Sequence, residues 1–333
     1  MWWILALLLV LGGCLGGGDA GERDTSPVKD RSEIGKIVIV SETNLTQPNE
    51  EETAGSLNDS EEEFDWGLGD VDKKDREEIL KFSYDEEDPI YVRFFDVGLA
   101  ESKKQGRLVQ IRRGDLDIFI WSVPLETFPK AYGYIKAYSD DIEYLIIPSP
   151  REVNTESLEL LFNKTEVGEV IAPHTMELPY NATYLKEGDV LEVANFTIRV
   201  WKAGDEGFHT PGDQGFILSL DSEYDRFLFL LDAETGLFRK FVADYGNAIN
   251  TTYFSWNTYG GILEPNVYQL FLSMALPKYM IADGAPYKEY DAPGGSRDGI
   301  YNRVSLFGVN YTKVWEHDVV TIVISNNSYI QTS

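Results

Sequence analysis

The amino-acid sequence predicts a layered α/β or α+β domain, and three observations lead to this prediction. From Ile90 onward, short apolar runs recur that are rich in β-branched and aromatic residues, which is typical of strands. Turn signals such as Arg113-Gly114-Asp115 separate several of these runs. Segments with helical periodicity lie between groups of runs, and this alternation favours sheets that are covered by helices.

Each predicted element is a run whose apolar spacing fits one kind of regular structure. The predicted strands are, in chain order, Ile90–Val97, Leu108–Ile111, Leu116–Trp121, Tyr144–Ile147, Glu169–Ala172, Val190–Ala194, Thr197–Trp201, Phe216–Leu220, Phe227–Leu231, Lys278–Ala282, Thr312–Trp315 and Val319–Ile324. The predicted helices are Leu125–Tyr138, Thr155–Phe162, Leu237–Tyr245 and Pro265–Ala275. The domain that they form is expected to cover residues 89–333.

Residues 1–14 have the features of an export leader. Segment 2–11 is continuously apolar, which is too short for a mature membrane-spanning helix but suits a signal peptide. Gly12 and Gly13 precede Cys14, the only cysteine, in a pattern that resembles a lipobox, although no Lys or Arg precedes the apolar segment. We therefore predict that Cys14 is lipidated and becomes the new N-terminus. The alternatives are a plain secretory signal and an uncleaved anchor helix.

Residues 15–88 predict a disordered acidic tether. The stretch holds 23 Asp or Glu against 8 Lys or Arg, which gives a net charge of −15, and it has few aromatic residues. Chains of this composition repel themselves and bury little apolar surface. The tether is therefore assigned no ligand.

The sequence contains more Asn-x-Ser/Thr sequons than chance placement of its 15 asparagines would give, which is roughly two. The eight acceptor asparagines are Asn44, Asn58, Asn163, Asn181, Asn195, Asn250, Asn310 and Asn326. Their number predicts an N-glycosylated exterior protein. Together with a prokaryotic lipobox, it indicates an archaeal protein at the extracellular face of the cell membrane, held there by its N-terminal lipid.

Composition excludes several classes of function. The formal net charge of −27 disfavours binding to nucleic acid, because such a surface repels phosphate backbones. Three histidines, His174, His209 and His317, and one cysteine are too few for a multi-histidine or multi-cysteine metal site. The sequence also has no nucleophile elbow, phosphate-binding loop or dinucleotide fingerprint.

Eight segments occur in an order and spacing that can be compared with those of a known fold. They are Tyr91–Gly98, Leu108–Ile111, Asp117–Ile120, Asp140–Ile147, Val167–Pro173, Leu185–Leu191, Arg226–Glu234 and Leu276–Ala282. This order resembles the metallo-β-lactamase fold, most of all the soluble domain of competence (DNA-uptake) membrane proteins. The first segment is similar to the family's opening strand and its Phe-x-Asp-Val-Gly turn, although Leu99 and Ala100 depart from the family's Gln-Gly. The resemblance implies a four-layer αββα sandwich, in which two stacked sheets lie between two layers of helices.

The resemblance also implies a two-metal site, whose His-x-His-x-Asp-His signature follows the Asp140–Ile147 strand. Ser149, Arg151, Val153 and Asn154 stand at the ligand positions of that signature. A serine hydroxyl is a poor zinc ligand, valine is none, and arginine brings a fixed positive charge. Asp232 alone matches a position that bridges metals in the family, and we expect it to serve as a structural acceptor for backbone N–H groups. The chain is therefore expected to hold no metal and no cofactor, and to have no catalytic residue.

The later His-His-Gly of the family falls near residues 254–258, which places Trp256 and Asn257 in the vestigial site. With Trp121 and Arg151, the aromatic stretch 250–261 would line the old metal cleft and bind a sugar, a peptide or a small ligand. The other interpretation is that these aromatic side chains fill the volume that the metals vacated.

The leading hypothesis is a surface lipoprotein whose domain binds an unknown ligand or partner without catalysis. The alternative is a hydrolase, either with a rearranged metal site of Asp232, His174 and His209 or with a metal-free mechanism. A solute-binding lipoprotein of another fold also fits the leader and the acidity, but it would require two lobes that the strand order does not indicate.

Overall fold

The structure, a computed structural model, describes residues 33–34 and most of the chain from residue 80 onward. The described ranges are 33–34, 80–98, 106–150, 155–204, 207, 210–257, 265–283 and 297–333. The leader with Cys14, the sequons at Asn44 and Asn58, and nearly all of the predicted tether lie outside them. Within these ranges, no helix combines the length and the apolar character that crossing a membrane requires.

Two large sheets form the centre of the domain. Two short strands of two residues each, β1 (Glu33–Ile34) and β2 (Lys81–Phe82), precede them in the chain and pair with each other. The larger sheet contains β3 (Ile90–Phe95), β4 (Arg107–Arg113), β5 (Leu116–Ser122), β6 (Ile142–Ile146), β7 (Val167–Pro173), β8 (Thr183–Leu185), β16 (Val319–Ile324) and β17 (Tyr329–Thr332). Its strand order is β17-β16-β3-β4-β5-β6-β7-β8, and β5 to β8 run parallel to one another.

The smaller sheet has seven strands in the order β15-β14-β13-β12-β11-β10-β9. These strands are β9 (Val190–Val193), β10 (Phe196–Ala203), β11 (Phe216–Asp221), β12 (Arg226–Phe229), β13 (Tyr253–Asn257), β14 (Tyr279–Asp283) and β15 (Asn310–Lys313). Strands β12 to β15 are parallel, and β9 to β12 pair antiparallel.

Within the described ranges, five α-helices complete the layers: α1 (Phe128–Tyr138), α2 (Thr155–Phe162), α3 (Thr235–Tyr245), α4 (Pro265–Ala275) and α5 (Arg297–Leu306). Three separate apolar clusters show the order of the layers. One cluster joins the inward faces of both sheets, a second packs α1 and α2 on the larger sheet, and a third packs α3, α4 and α5 on the smaller sheet. The arrangement is the predicted αββα sandwich, because each sheet buries one face on the other sheet and its second face under helices.

Described residues from Leu80 onward, ahead of the predicted boundary at Pro89, pack on the domain. Phe82 is 6% exposed and joins the cluster between the sheets. The backbone carbonyl of Ser83 accepts a hydrogen bond from the amide of Asp115, and that of Glu86 accepts one from Arg113. The last residues of the acidic stretch therefore pack on the domain, because one aromatic ring and several carbonyl groups find partners there.

The sandwich has two distinct ends. The parallel strands of both sheets finish at the same end. Residues that follow β6 and β12, the residue that closes β14 and the residue that opens β4 contact one another there. We call this the carboxyl end and its opposite the amino end. In open sheets of this kind, the edge at which parallel strands finish is where binding sites are usually built.

Candidate functional site

Four polar residues meet in the interior at the carboxyl end, and we call Arg107, Ser149, Asp232 and Asp283 the arginine cluster. Each is at most 4% exposed. Arg107 opens β4, Ser149 follows β6, Asp232 follows β12 and Asp283 closes β14. The cluster therefore joins both sheets at the edge where the resemblance implies the metal site.

The guanidinium of Arg107 lies between two carboxylates. Its Nε donates to Oδ2 of Asp283 at 2.7 Å, and its Nη1 donates to Oδ1 of Asp232 at 3.1 Å. Side chains alternate along β4, so Arg107 points into the same interior as Val109 and Ile111. A buried guanidinium requires paired acceptors of this kind, since an unpaired buried charge is costly.

Asp232 is presented by a strained turn after β12. The preceding residue, Leu231, has φ +48°, a left-handed conformation that costs a residue with a side chain roughly 1–2 kcal/mol. A side chain at Gly212 would lie 2.5 Å from the carbonyl oxygen of Asp232, so only glycine permits this approach. Oδ2 of Asp232 accepts the hydroxyl of Ser149 at 2.8 Å. The turn thus holds one carboxylate against both a cation and a hydroxyl.

Asp283 is the less satisfied of the two acids. Burial raises its pKa, and the charge of Arg107 offsets this only in part. Its Oδ1 is buried and has no hydrogen-bond partner among the described residues. The cluster therefore contains one guanidinium and two carboxylates, and both carboxylates contact that guanidinium.

These groups do not fit the two divalent metals that the resemblance implies. Both carboxylates already contact a guanidinium, which keeps its positive charge in proteins and would repel a dication at the same place. Zinc favours three or four nitrogen, sulfur or carboxylate donors, and the described residues contain no group of three or more His, Cys, Asp or Glu that could hold an ion. The cluster instead supplies its own internal cation.

The structure brings together only part of the predicted vestigial site. Ser149 and Asp232 are in contact, whereas Arg151, Val153 and Asn154 lie outside the described residues. Asn257 is placed by its backbone beside Asp283 in the adjoining strand. Asp232 bonds side chains of the cluster, rather than only the backbone N–H groups that were expected.

The aromatic residues that were expected near the cleft face the helices instead. Trp256 is 4% exposed and packs against Phe238 and Tyr268 in the cluster beneath α3, α4 and α5. Trp121 packs against Phe128 beneath α1 and α2. The space between the sheets at the carboxyl end is thus lined by polar side chains and not by these two rings.

The histidines do not approach the cluster as a set. His174 is exposed at the end of β7, His317 is half-buried before β16, and His209 lies outside the described residues. The two members of the cluster that sequence reasoning missed are Arg107 and Asp283. Each is a charged residue at the very end of an apolar strand, and that position was the available signal.

A second buried network of charges lies at the amino end beneath α1. Burial raises the pKa of Glu143 to about 8 and that of Asp117 to about 6. Glu143 accepts the backbone amide of Asp117 at 2.6 Å, and the carboxylate of Asp117 bonds Arg112, Gln110 and Ser139. This network fixes α1 to the start of β5 and β6, and no part of it reaches the arginine cluster.

Comparison of the sequence with family models and with curated proteins gives no match. Structural comparison finds proteins of the metallo-β-lactamase fold. One is the metallo-β-lactamase fold protein YhfI from Bacillus subtilis, with a TM-score of 0.46 and 11% identity over 73% of this chain and 100% of that chain. Another is CmlA, a diiron β-hydroxylase from Streptomyces venezuelae, with a TM-score of 0.46 and 11% identity over 72% of this chain. The matched region spans 54% of CmlA, so this chain corresponds to about half of that protein.

Proposed function

We propose that this chain is a cell-surface lipoprotein whose domain binds a ligand or partner without catalysis. One observation carries the proposal: the guanidinium of Arg107 is ion-paired with both Asp232 and Asp283 at the edge where a metal site is implied. A hydrolase of the implied kind needs a metal-bound hydroxide there. The paired guanidinium takes the carboxylates that such an ion would require.

The burial of the cluster also argues against a metal-free hydrolase. The hydroxyl of Ser149 is fully buried, and the carboxylate to which it donates a hydrogen bond is already paired with Arg107, whereas a serine nucleophile needs an exposed hydroxyl and a free base. Since the four cluster residues are buried, we place binding on an exposed face of the domain. The surface location is supported by the leader and by the exposure of all six described sequon asparagines: Asn163, Asn181, Asn195, Asn250, Asn310 and Asn326.

Metal analysis of the purified protein tests the proposal. The chain is dialysed against Zn²⁺ or Mn²⁺, and bound ions are then measured by plasma mass spectrometry and by calorimetry. We expect substoichiometric metal in the wild type. The matched variant Arg107→Asp removes the guanidinium and adds a third carboxylate beside Asp232 and Asp283, so it should gain divalent-ion binding, with circular dichroism confirming that it is folded.

One or more tightly bound ions per wild-type chain, or hydrolysis that a chelator abolishes, would overturn the non-catalytic assignment. That result would instead support the alternative of a rearranged metal site using Asp232, His174 and His209.

A further inference from the structure

A surface groove of about 860 Å³ lies at the amino end, far from the arginine cluster. It is bordered by the turn between β11 and β12, by the starts of β13, β14 and β15, and by the turn between β16 and β17. Four tyrosines line it: Tyr224, Tyr253, Tyr279 and Tyr329.

Two predicted glycan acceptors, Asn310 and Asn326, line the same groove from opposite sheets. Both asparagines are exposed. A third acceptor, Asn250, lies two residues before Thr252, which is also part of the lining. Three of the six described sequons therefore surround one groove.

The third residues of two of these sequons, Thr252 and Ser328, line the groove, and that of the Asn310 sequon, Thr312, bonds a lining tyrosine. The hydroxyls of Thr252 and Ser328 donate to the two carboxylate oxygens of Asp225, at 2.7 and 2.5 Å. The hydroxyl of Thr312 pairs with that of Tyr279 at 2.6 Å. The bond between Ser328 and Asp225 joins the larger sheet to the smaller one at the groove, and the other two bonds lie within the smaller sheet. The side-chain amides of Asn310 and Asn326 stay at the rim.

We propose that the groove seats an N-linked oligosaccharide attached to Asn310 or Asn326 of this same chain. The proposal rests on the proposed surface location. Attachment joins the amide nitrogen of the asparagine to the anomeric carbon of an oligosaccharide carried on a lipid phosphate. The carbon–oxygen bond to the phosphate breaks, the amide loses one proton and the lipid phosphate leaves.

The chemistry of the lining suits this occupant. The apolar face of a sugar ring packs on aromatic rings, while its hydroxyls need donors and acceptors at the edge. Tyr329 is 54% exposed and offers an open ring, and the exposed Lys278 and Glu223 supply polar groups beside it. Because the oligosaccharide would be tethered at the rim, its effective concentration at the groove is high and weak contacts suffice.

The test compares two preparations of the full chain: protein isolated from the surface of the cells that produce it, and unmodified protein from a bacterial cytoplasm. Glycopeptide mass spectrometry is expected to find an oligosaccharide on Asn310 or Asn326. Thermal unfolding is then measured for Tyr329→Ser and for Asn163→Gln, the latter removing a sequon at the end of α2. We expect Tyr329→Ser to lower the melting temperature of the modified protein by roughly 2–4 °C more than that of the unmodified protein. Asn163→Gln should show no comparable difference.

Bare asparagines at both positions would overturn the proposal, and so would a Tyr329→Ser shift that is equal in the two preparations. The two proposals fail separately. If Cys14 carries lipid while Asn310 and Asn326 are bare, only the groove proposal fails. If the mature protein has no exterior form at all, the surface location fails as well.

Discussion

Replacing Arg107 by methionine should destabilise the domain more than any other single loss of charge that we consider. The change leaves Asp232 and Asp283 buried without a counter-charge. At 2.7 and 3.1 Å, each contact has a Coulomb energy of about 5–6 kcal/mol at an effective dielectric constant of about 20, before desolvation is subtracted. Removing one partner of such a buried pair costs about 3–5 kcal/mol in practice.

Urea unfolding followed by tryptophan fluorescence measures this loss at pH 7. For a domain of this size, the expected cost corresponds to a fall in melting temperature of about 6–20 °C. Lys313→Met is the matched control, because the ion pair of Lys313 with Glu316 is on the surface and should be worth less than about 1 kcal/mol. Arg107→Lys keeps the charge but loses the two-pronged geometry, so its cost should be intermediate.

Acidification provides a second check on the mechanism. In Arg107→Met, the two buried acids should have raised folded pKa values, so the penalty should shrink as the pH falls toward the unfolded value of about 3.9. A loss below about 1 kcal/mol at pH 7, or one that does not change with pH, would refute the view that Arg107 is the counter-charge of this site.

Three further predictions concern other parts of the chain. Because the pKa of Glu143 in the folded protein is raised to about 8, its contribution to stability is complete below about pH 4.5 and is lost as the pH rises toward 8. Glu143→Gln should therefore flatten the fall in the free energy of unfolding over this pH range, as measured by urea unfolding. An unchanged slope would contradict this prediction. Leu276 is 68% exposed and has φ +47°, a conformation that favours glycine, so Leu276→Gly should stabilise the protein by about 0.5–1 kcal/mol. Leu306→Gly is the control: Leu306 is helical at the end of α5, so glycine there should destabilise the protein by a similar amount. Urea unfolding measures both changes. Cys14→Ser should move the protein from the membrane fraction to the medium on an immunoblot, and continued membrane retention would favour an uncleaved anchor helix.

The long elements could be predicted from the sequence because their apolar spacing is strong. The predicted helix Thr155–Phe162 coincides with α2, and the predicted helix Leu125–Tyr138 contains α1. Sequence reasoning missed α5, whose stretch includes Gly299 and has little apolar periodicity, and it missed the short strands β8 and β17. It also missed the central strand β13, because its aromatic and polar residues were interpreted as the lining of a cleft. Short edge strands bury little, so they leave little pattern to read.

The candidate site, like the fold, could be predicted from the sequence only in part. The resemblance predicts Ser149 and Asp232 as site positions from the sequence. The partnership of Arg107 with these positions is not predicted, because it joins residues more than one hundred positions apart through two different sheets. An arginine at the start of an apolar strand resembles an ordinary exposed strand end until the opposing sheet is in place.

The sequence by itself determined most of the elements and their alternation into layers, since both follow from local spacing and residue type. Only the tertiary structure decided which side chains meet at the carboxyl end: a buried guanidinium that pairs two carboxylates at 2.7 and 3.1 Å. It also decided that Trp121 and Trp256 face the helices, because the side of a strand on which a ring lies depends on which surface the neighbouring sheet covers.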